Sequence, residues 1–554
     1  MCPYFFYTFV AFNKIEIYKT SLYMNYRIRL FFLSLCLFLG LGAWAQTSYG
    51  NLPETVDVND ATITKFGHAT MSVEMKIVND SVTHRVDTLR SVKNIEWNTE
   101  PGTAKRRMAE RERQQRSDFY DEGNNWWYDI YWYTYTYTSV MANGQSVLLS
   151  SMACMPDEDC DYVNNVIIAC HITLAKNGQC PSEYNNTGSA TSDVSLMMNH
   201  AGSGTVVHAP QSSQSNYNLV IIPDYEGFGI TRSHTQPYLC EELTARQVVD
   251  AVRYGIALYK TSPVISSIRH PFRSNWRSMS IGYSQGGGVA LATHRFIEQN
   301  GLTDELHFAG SVCGAGPYNP IVTLYFFAQQ CSNGDPFQMP VLMPLIITGM
   351  CSANPYMKIH QASDYLSQPF LASGILGWLE SKEMTTDDIA DALLNYYSST
   401  PYVSSGELHL PLSYILTPAA YAYIHNLYSS NYNYTTITPP THRGVMEDLH
   451  YAMENNNLTQ GWNPCHAIFM YHSFEDNVVP ETNRECAAYA FGNWVIKLHA
   501  SFGDLQFDHV GTGVQYFMGT SEENAIEALA GAPIHQTIQD AINLRNQFSS
   551  SDLD

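Results

Sequence analysis

The chain has 554 residues, of which 45% are hydrophobic and 13% aromatic, so it can bury a large core and is long enough for more than one domain. Its 52 acidic and 30 basic residues give a formal net charge of -22 at pH 7. Such an acidic surface argues against nucleic acid and against an anionic membrane as electrostatic partners.

The first 45 residues have the pattern of a secretory signal peptide, with its start at Met24. Two arginines precede an apolar run, 30–41, that is too short to span a bilayer. Ala43-Trp44-Ala45 then fits an A-x-A cleavage site. We expect a mature chain that begins near Gln46, is exported to the periplasm or the extracellular space, and has no stable membrane span.

Two of the 12 cysteines lie in the signal region, and the rest are compatible with disulfides in an exported chain. Cys154 and Cys160 are close enough for a small disulfide loop, whereas Cys170 and Cys313 lie in apolar runs that suit buried thiols about as well. The chain has no C-x-x-C, H-E-x-x-H or EF-hand pattern, and the acidic run 157–161 favours a solvated turn over a calcium site. We therefore expect no metal and no cofactor.

Residues 46–118 are predicted to form a β-rich N-terminal appendage. Met71–Val78 and Ser81–Leu89 alternate apolar and polar side chains on either side of Asn79-Asp80, which predicts a hairpin. The charged run 103–116 favours an exposed helix or linker.

From residue 126 onward the pattern is that of a sheet with flanking helices. Tyr128–Ser139 and Ser146–Met155, joined by Asn143-Gly144, predict an antiparallel hairpin at the edge of the sheet. Further strands are predicted at 165–170, 219–223, 276–281, 308–312, 467–471 and 495–501, and helices at 194–200, 243–260, 289–297 and 482–491. This alternation predicts an α/β fold with a mostly parallel sheet covered on both faces, formed by 119–320 and 461–554.

Residues 321–460 interrupt the alternation with a mostly helical, apolar segment. Thr417-Pro418 fits the cap and first turn of a helix. The large apolar side chains of the segment, such as Phe370 and Trp378, are too numerous to remain exposed and must pack against another part of the protein. The insert is either a helical subdomain with its own core or a cap over the cleft at the strand ends, where ligands bind in such sheets. We favour the cap.

Gly282-Tyr283-Ser284-Gln285-Gly286 lies between a predicted strand and a predicted helix. In this G-x-S-x-G pattern a strained turn exposes the serine hydroxyl, and the glycines let strand and helix approach closely. The free N–H groups at the start of the helix face developing negative charge. We predict Ser284 as a nucleophile and the Gln285 N–H as an oxyanion donor, although the pattern alone recurs by chance in long chains.

The acid and the base that such a serine needs follow the last two predicted strands, in the order that the pattern requires. Asp476 lies in a polar turn after 467–471, and His509 lies in a loop after the last strand. An imidazole can accept the serine proton near neutral pH, and a buried carboxylate holds its other nitrogen. The rival base is His472, and the rival acids are Glu475, Asp504 and Asp508.

The second oxyanion donor is expected after the strand at 165–170. There Cys170-His171-Ile172-Thr173 occupies the place of an HGG-type motif but lacks its glycines. Because a backbone N–H donates, the side chains matter less, and we predict Thr173 rather than Ile172.

These motifs resemble the α/β-hydrolase superfamily, and in particular its secretory lipase and esterase branch, over residues from about 126 to 520. The matching pieces are Pro223–Gly229 after a strand, the strand–turn–helix elbow at Gly282–Gly286, the turn Asp476–Pro480, His509 and the helical insert. The loop at His171 and the segment 46–118 depart from the family pattern. The resemblance implies the fold and a serine triad, and it assigns a structural role to the turn 224–229.

The sequence thus predicts a secreted serine hydrolase that cleaves small-molecule or lipid carboxylic esters through an acyl-enzyme. Two alternatives keep the fold: a serine peptidase, although no groups that would bind a peptide amino terminus are evident, and a carbohydrate-ester esterase, for which 37 tyrosines and 9 tryptophans could include stacking surfaces. A non-enzymatic binding module is disfavoured because it would be expected to lose a member of the triad.

Overall fold

A computed structural model describes most of the chain beyond the predicted signal region. The described residues are 52–80, 85–98, 125–156, 161–184, 193–202, 217–429, 444–472, 476–491 and 495–497. The signal region, the charged run 103–116, Cys160 and His509 lie outside these ranges.

Twelve strands are formed by the described residues. They are β1 (Ala61–Asp80), β2 (Arg85–Asn98), β3 (Asn125–Val140), β4 (Ser146–Pro156), β5 (Val163–Cys170), β6 (Asn218–Pro223), β7 (Phe272–Tyr283), β8 (Phe308–Gly314), β9 (Val403–Ser404), β10 (Glu407–Leu408), β11 (Ala467–Tyr471) and β12 (Val495–Lys497). Ten of them form one sheet in the order β12-β11-β8-β7-β5-β6-β4-β3-β1-β2, and β9 pairs with β10 separately.

Six neighbouring strands of the sheet, from β12 to β6, are parallel to one another. The side chains of β6 and β11 are buried throughout, as expected for strands with helices on both faces. Gly314 at the end of β8 lies opposite both Tyr283 of β7 and Tyr471 of β11. The segments that follow β7 and β11 therefore leave the same edge of the sheet, about 10 Å apart.

The other four strands are antiparallel and extend the sheet. β3 and β4 form the predicted hairpin, with Gly144 at a φ of 78° in the turn. This hairpin is not the edge of the sheet, because β1 pairs with β3 and β2 pairs with β1. The turn predicted at Asn79-Asp80 is also wrong, since these residues lie opposite Val86 and Arg85. The pair lacks the glycine that short hairpin turns favour, so strand pairing continues through it.

Fourteen α-helices are formed by the described ranges. They are α1 (Asp193–Gly202), α2 (Glu241–Thr261), α3 (Gln285–Gln299), α4 (Thr303–Leu306), α5 (Pro320–Asn333), α6 (Leu342–Ala353), α7 (Ala362–Tyr365), α8 (Gln368–Leu371), α9 (Ile375–Ser381), α10 (Thr386–Tyr396), α11 (Leu412–Ile415), α12 (Pro418–Ser429), α13 (Val445–Asn455) and α14 (Thr482–Phe491). None of the helices in these ranges is long and apolar enough to cross a membrane.

The tyrosine-rich strand β3 packs against α2. Tyr133, Tyr135 and Tyr137 alternate along the strand and are fully buried. The Tyr135 hydroxyl donates a hydrogen bond of 2.7 Å to the carbonyl oxygen of Ala251 in α2. The alternation in the sequence thus marks the face of the strand that covers a helix.

Helices α5 to α13 lie between β8 and β11, in the predicted insert, and share one apolar cluster. The cap predicted for α12 is present, because the N–H of Ala420 donates to Thr417 Oγ1 at 3.2 Å. The cluster continues beyond the insert to Leu243 of α2 and to Val478 and Val479 after β11. The insert therefore packs on the turn that carries Asp476.

The cysteines that were considered for disulfides, and that the structure describes, are buried free thiols. Cys154, Cys170 and Cys313 are fully buried and unbridged. The disulfide loop considered for Cys154 is therefore not formed. Burial raises the pKa of the Cys313 thiol to about 12, which keeps it protonated and unreactive at neutral pH.

Candidate active site

Ser284 lies at the junction of β7 and α3. Strand β7 ends at Tyr283 and α3 begins at Gln285, so one residue makes the turn. Ser284 has a φ of 51° and a ψ of -122°, a region that residues with a Cβ rarely occupy and that costs on the order of 1–3 kcal/mol. The predicted helix therefore begins four residues earlier than its apolar pattern indicated, directly after the serine.

The two glycines of the motif allow a close approach of three backbone segments. A Cβ on Gly286 would lie 2.0 Å from the carbonyl oxygen of Cys170 in β5, and one on Gly282 would lie 2.2 Å from the carbonyl oxygen of Gly286. No side chain fits at such distances. These contacts hold the serine in its strained conformation.

The start of α3 provides hydrogen-bond donors beside the serine. The first N–H groups of a helix have no acceptor within it and point outward with the positive end of the helix dipole. Gln285, the first residue of α3, is 3% exposed, and among the described residues its side-chain Oε1 has no hydrogen-bond partner. The Gln285 N–H is the first of these helix donors and belongs to the residue that directly follows Ser284.

Asp476 follows β11 in the turn Asp476–Pro480, the acid turn, which fixes its carboxylate. One carboxylate oxygen accepts hydrogen bonds from the N–H groups of Val478 at 3.0 Å and Val479 at 2.9 Å. The Asp476 side chain is buried. The pKa of Tyr283 is raised first by the burial of Tyr283 and second by the negative charge of Asp476. The Asp476 charge is therefore close enough to act on the residue that precedes Ser284.

His472, the rival base, contacts the acid turn. Its Nε2 lies 2.7 Å from the carbonyl oxygen of Val479, to which it donates, and 3.4 Å from Asp476 Oδ2. The imidazole is buried, and its Nδ1 has no hydrogen-bond partner within the described part of the chain. The Nε2 hydrogen bond links His472 to the far end of this turn, a contact that suits a residue that stabilises the turn.

The loop expected to supply the second oxyanion donor leaves β5 beside the elbow. Cys170 lies opposite Gly282, and the His171 carbonyl oxygen lies near Gly286. The half-buried Thr173 shares a hydrogen bond of 2.8 Å with the Tyr238 hydroxyl. The His171 ring is buried and stacks on Tyr225, and burial lowers its pKa to about 4. The two ring nitrogens of His171 lie 2.7 Å from the Ile172 carbonyl oxygen and 3.2 Å from the Asp224 carbonyl oxygen, so the ring links this loop to the turn after β6.

His509, the predicted base, lies outside the described residues, so the triad is described only at Ser284 and Asp476.

The turn 224–229 is structural, because Asp224 accepts hydrogen bonds from the Ser150 hydroxyl and the Ser182 N–H. These contacts occupy a buried carboxyl group that could otherwise be mistaken for a catalytic one.

Glu241 is a buried acid that the sequence reasoning did not identify. Its side chain lies beside Gly288 in the first turn of α3, and both carboxyl oxygens lack a hydrogen-bond partner among the described residues. Burial raises the pKa of Glu241 to about 8, although the charge of Arg295 lowers it. The group is therefore neutral at pH 7. Its position at the start of a helix carried no catalytic motif, so only the structure reveals it.

A cavity of about 550 Å³ lies between the sheet domain and the insert. Its lining includes Glu226, His234 and Leu243 on one side and Cys351 and Lys358 on the other. Neither Ser284 nor Asp476 is among its lining residues.

Comparisons with known proteins are informative only at the level of structure. No protein-family model and no curated protein matches the chain. A Legionella pneumophila protein named as a hydrolase matches with a TM-score of 0.52 and 15% identity, covering 74% of this chain and 91% of its own. The rice cell wall degrading esterase LipA from Xanthomonas oryzae matches with a TM-score of 0.48 and 21% identity over 68% and 85%. Candida antarctica lipase A matches with a TM-score of 0.42 and 13% identity over 65% and 69%.

At these identities the likeness concerns the fold. The mostly parallel sheet, the flanking helices and the structural matches show an α/β-hydrolase fold, as the sequence predicted. The catalytic residues remain predictions.

Proposed function

We propose that the chain is an exported serine hydrolase of carboxylic esters, a lipase or esterase of the secretory branch. The observation that supports this most is the strained conformation of Ser284 at the start of α3. Strain at a residue with a Cβ persists only where the surroundings enforce it, and here it presents a hydroxyl beside free N–H groups. Asp476 leaves the same edge of the sheet, two strands away.

In the first half of the proposed reaction, His509 removes the proton of Ser284 Oγ as this oxygen attacks the ester carbonyl carbon. The carbonyl oxygen becomes an oxyanion that accepts hydrogen bonds from the N–H groups of Gln285 and Thr173. His509 then returns the proton to the alcohol oxygen as the C–O bond breaks. The alcohol leaves, and the acyl group stays on Ser284.

In the second half, water replaces the alcohol. His509 takes a proton from the water as its oxygen attacks the acyl carbon, and the same N–H groups hold the second oxyanion. The bond to Ser284 breaks, the proton returns to the serine oxygen, and the carboxylic acid leaves. Asp476 holds the imidazole in the required tautomer and stabilises its charged form.

The insert supports an apolar acyl group as part of the substrate. Its apolar cluster includes Val478 and Val479, which follow Asp476 directly. A subdomain with a separate core would not share its core with the acid turn, so we propose that 321–460 caps the cleft. Each CH₂ of an acyl chain buried beneath the cap would contribute about 0.8 kcal/mol to binding.

Export is proposed from the signal-peptide pattern alone. The protein secreted from cells that express the full chain should begin near Gln46, which amino-terminal sequencing would determine. An uncleaved chain in the cell fraction would argue against export.

The substrate class is tested with the secreted protein and three sets of substrates. We expect turnover of p-nitrophenyl esters of straight-chain acids, with kcat/KM rising over the first few added carbons. Aminoacyl anilides report the peptidase alternative and acetylated sugars report the carbohydrate-ester alternative. Preferred turnover of either set over the simple esters would replace the proposal with that alternative. Absence of turnover in all three sets, in folded protein, would reject it.

A further inference from the structure

Three potential metal ligands meet near the C-terminal end of α3, away from the elbow. His294 and Glu298 lie four residues apart on this helix, and His466 immediately precedes β11. One ligand atom from each lies within 4.8 Å of the other two. Because His294 is ten residues beyond Ser284, the group is about 15 Å along the helix from the elbow and belongs to no step of the proposed reaction.

A single carboxylate joins the two imidazoles. Glu298 Oε1 lies 3.0 Å from His294 Nε2 and 2.6 Å from His466 Nδ1. Ligands held about 2.0–2.1 Å from a tetrahedral zinc ion are about 3.3 Å apart. The two contacts to Glu298 are somewhat shorter than this spacing, and all three ligand atoms lie within 4.8 Å of one another, so an ion requires only small side-chain adjustments.

The surroundings orient the ligands as they do in metal sites. His294 Nδ1 lies 2.8 Å from the Ser311 hydroxyl, so a proton on Nδ1 would leave the Nε2 lone pair available. The Cys465 N–H donates to both carboxylate oxygens of Glu298, at 2.8 and 3.0 Å. Phe308 and Trp462 pack edge-on against the His294 ring. Such fixed second contacts are typical of ligands rather than of exposed ion pairs.

The cluster presents two imidazole rings and one carboxylate group to an approaching ion. The side chains of His294, Glu298 and His466 are 0%, 8% and 26% exposed, which leaves an approach from solvent on the His466 side.

We propose that His294, Glu298 and His466 bind one divalent transition-metal ion of the zinc type, with water in the fourth position. Two imidazoles and one carboxylate form a ligand set that zinc accepts, and imidazole ligands disfavour magnesium and calcium. The ion would join α3, which follows the nucleophile, to β11, which precedes the acid. Its role would be to stabilise this junction.

The test is titration of untagged, chelator-treated full-length protein with ZnCl₂ by calorimetry. We expect one saturable site in the wild type. His466→Ala and Glu298→Gln should weaken this binding at least tenfold, and Ser311→Ala should weaken it by about 10–100-fold through loss of the orienting hydrogen bond. The control His360→Ala removes an imidazole that lies 2.9 Å from the Asp448 carboxylate but belongs to no group of three potential ligands among the described residues, and it should bind zinc as the wild type does.

Thermal unfolding gives a second readout that does not depend on ester hydrolysis. An ion that binds only the folded chain raises Tm, and excess chelator reverses the rise. The rise should occur in the wild type and in His360→Ala, and it should be absent in His466→Ala, whose partly exposed side chain can be removed without opening the core. No saturable site in the wild type, or equal binding in His466→Ala, would show that the cluster is only a hydrogen-bonded clamp and would overturn the proposal.

Discussion

At the scale of single residues, the geometry of the acid turn gives an expectation for the rival base His472. His472 donates to the Val479 carbonyl oxygen and lies against Asp476, so we expect it to stabilise the turn rather than to act on Ser284. His472→Gln keeps a donor for that carbonyl oxygen and should retain most of the turnover of p-nitrophenyl esters. His509→Ala should lower kcat by about 10⁴-fold, because the serine proton then has no acceptor. The opposite ranking of the two variants would exchange their roles.

Glu241 predicts a pH dependence of stability. Its pKa is about 8 in the folded chain and near 4.3 when unfolded. Between pH 5 and 8 the unfolded state has lost this proton and the folded state has kept it, so stability falls as pH rises, by at most about 1.4 kcal/mol per unit. Glu241→Gln removes this contribution. The free energy of unfolding of the variant, minus that of the wild type, should therefore rise from pH 5 to 8 and level off above. Urea unfolding measures it, and a constant difference would contradict the buried neutral acid.

At the scale of elements, the elbow depends on the approach of β5, β7 and α3. Gly286→Ala would place a Cβ 2.0 Å from the Cys170 carbonyl oxygen, and it should lower the free energy of unfolding by about 3 kcal/mol and abolish ester hydrolysis. The matched control is Gly377→Ala in α9, where a Cβ meets no atom within 4 Å. This variant should be unchanged or up to about 1 kcal/mol more stable. Similar losses in both variants would argue against a special packing role for the elbow glycine.

The cap hypothesis gives different expectations for its two large aromatic residues. Phe370 is fully buried in the apolar cluster of the insert, whereas Trp378 only packs against its side. Phe370→Ala should cost about 3–5 kcal/mol of stability and is uninformative about substrate. Trp378→Ala should leave acetate-ester hydrolysis intact and flatten the rise of kcat/KM with acyl-chain length. An unchanged profile for Trp378→Ala and for other half-buried aromatic residues of the insert would reject the cap.

Elements with one dominant physical signal could be predicted from the sequence. The runs of Val and Ile in β5 and β6 are typical of strands that are buried on both faces. The alternating tyrosines of β3 mark the side of the strand that packs on α2. Boundaries were less accurate where a local signal competes with pairing. Asn79-Asp80 has turn composition, yet the pairing of β1 with β2 continues through it.

At the scale of the whole molecule, contacts between distant segments were beyond the reach of sequence patterns. The positions of Ser284 after β7 and Asp476 after β11 could be predicted because the order of motifs along the chain fixes their place in the fold. Glu241, and the meeting of His294, Glu298 and His466, could not be predicted, because they depend on how α2, α3 and β11 pack. Their spacing in the sequence, 168 residues between Glu298 and His466, carries no metal-binding signature.

The measurement that tests the account most directly is the site of covalent labelling by a fluorophosphonate, which reacts with an activated serine. Peptide mapping of the labelled, folded protein should place one phosphonyl group on Ser284. Ser284→Ala should take up no label, whereas Ser266→Ala, which removes an exposed hydroxyl that donates only to the Pro263 carbonyl oxygen, should label fully. A label on another serine, or undiminished labelling of Ser284→Ala, would contradict the assignment of the nucleophile and the reaction built on it.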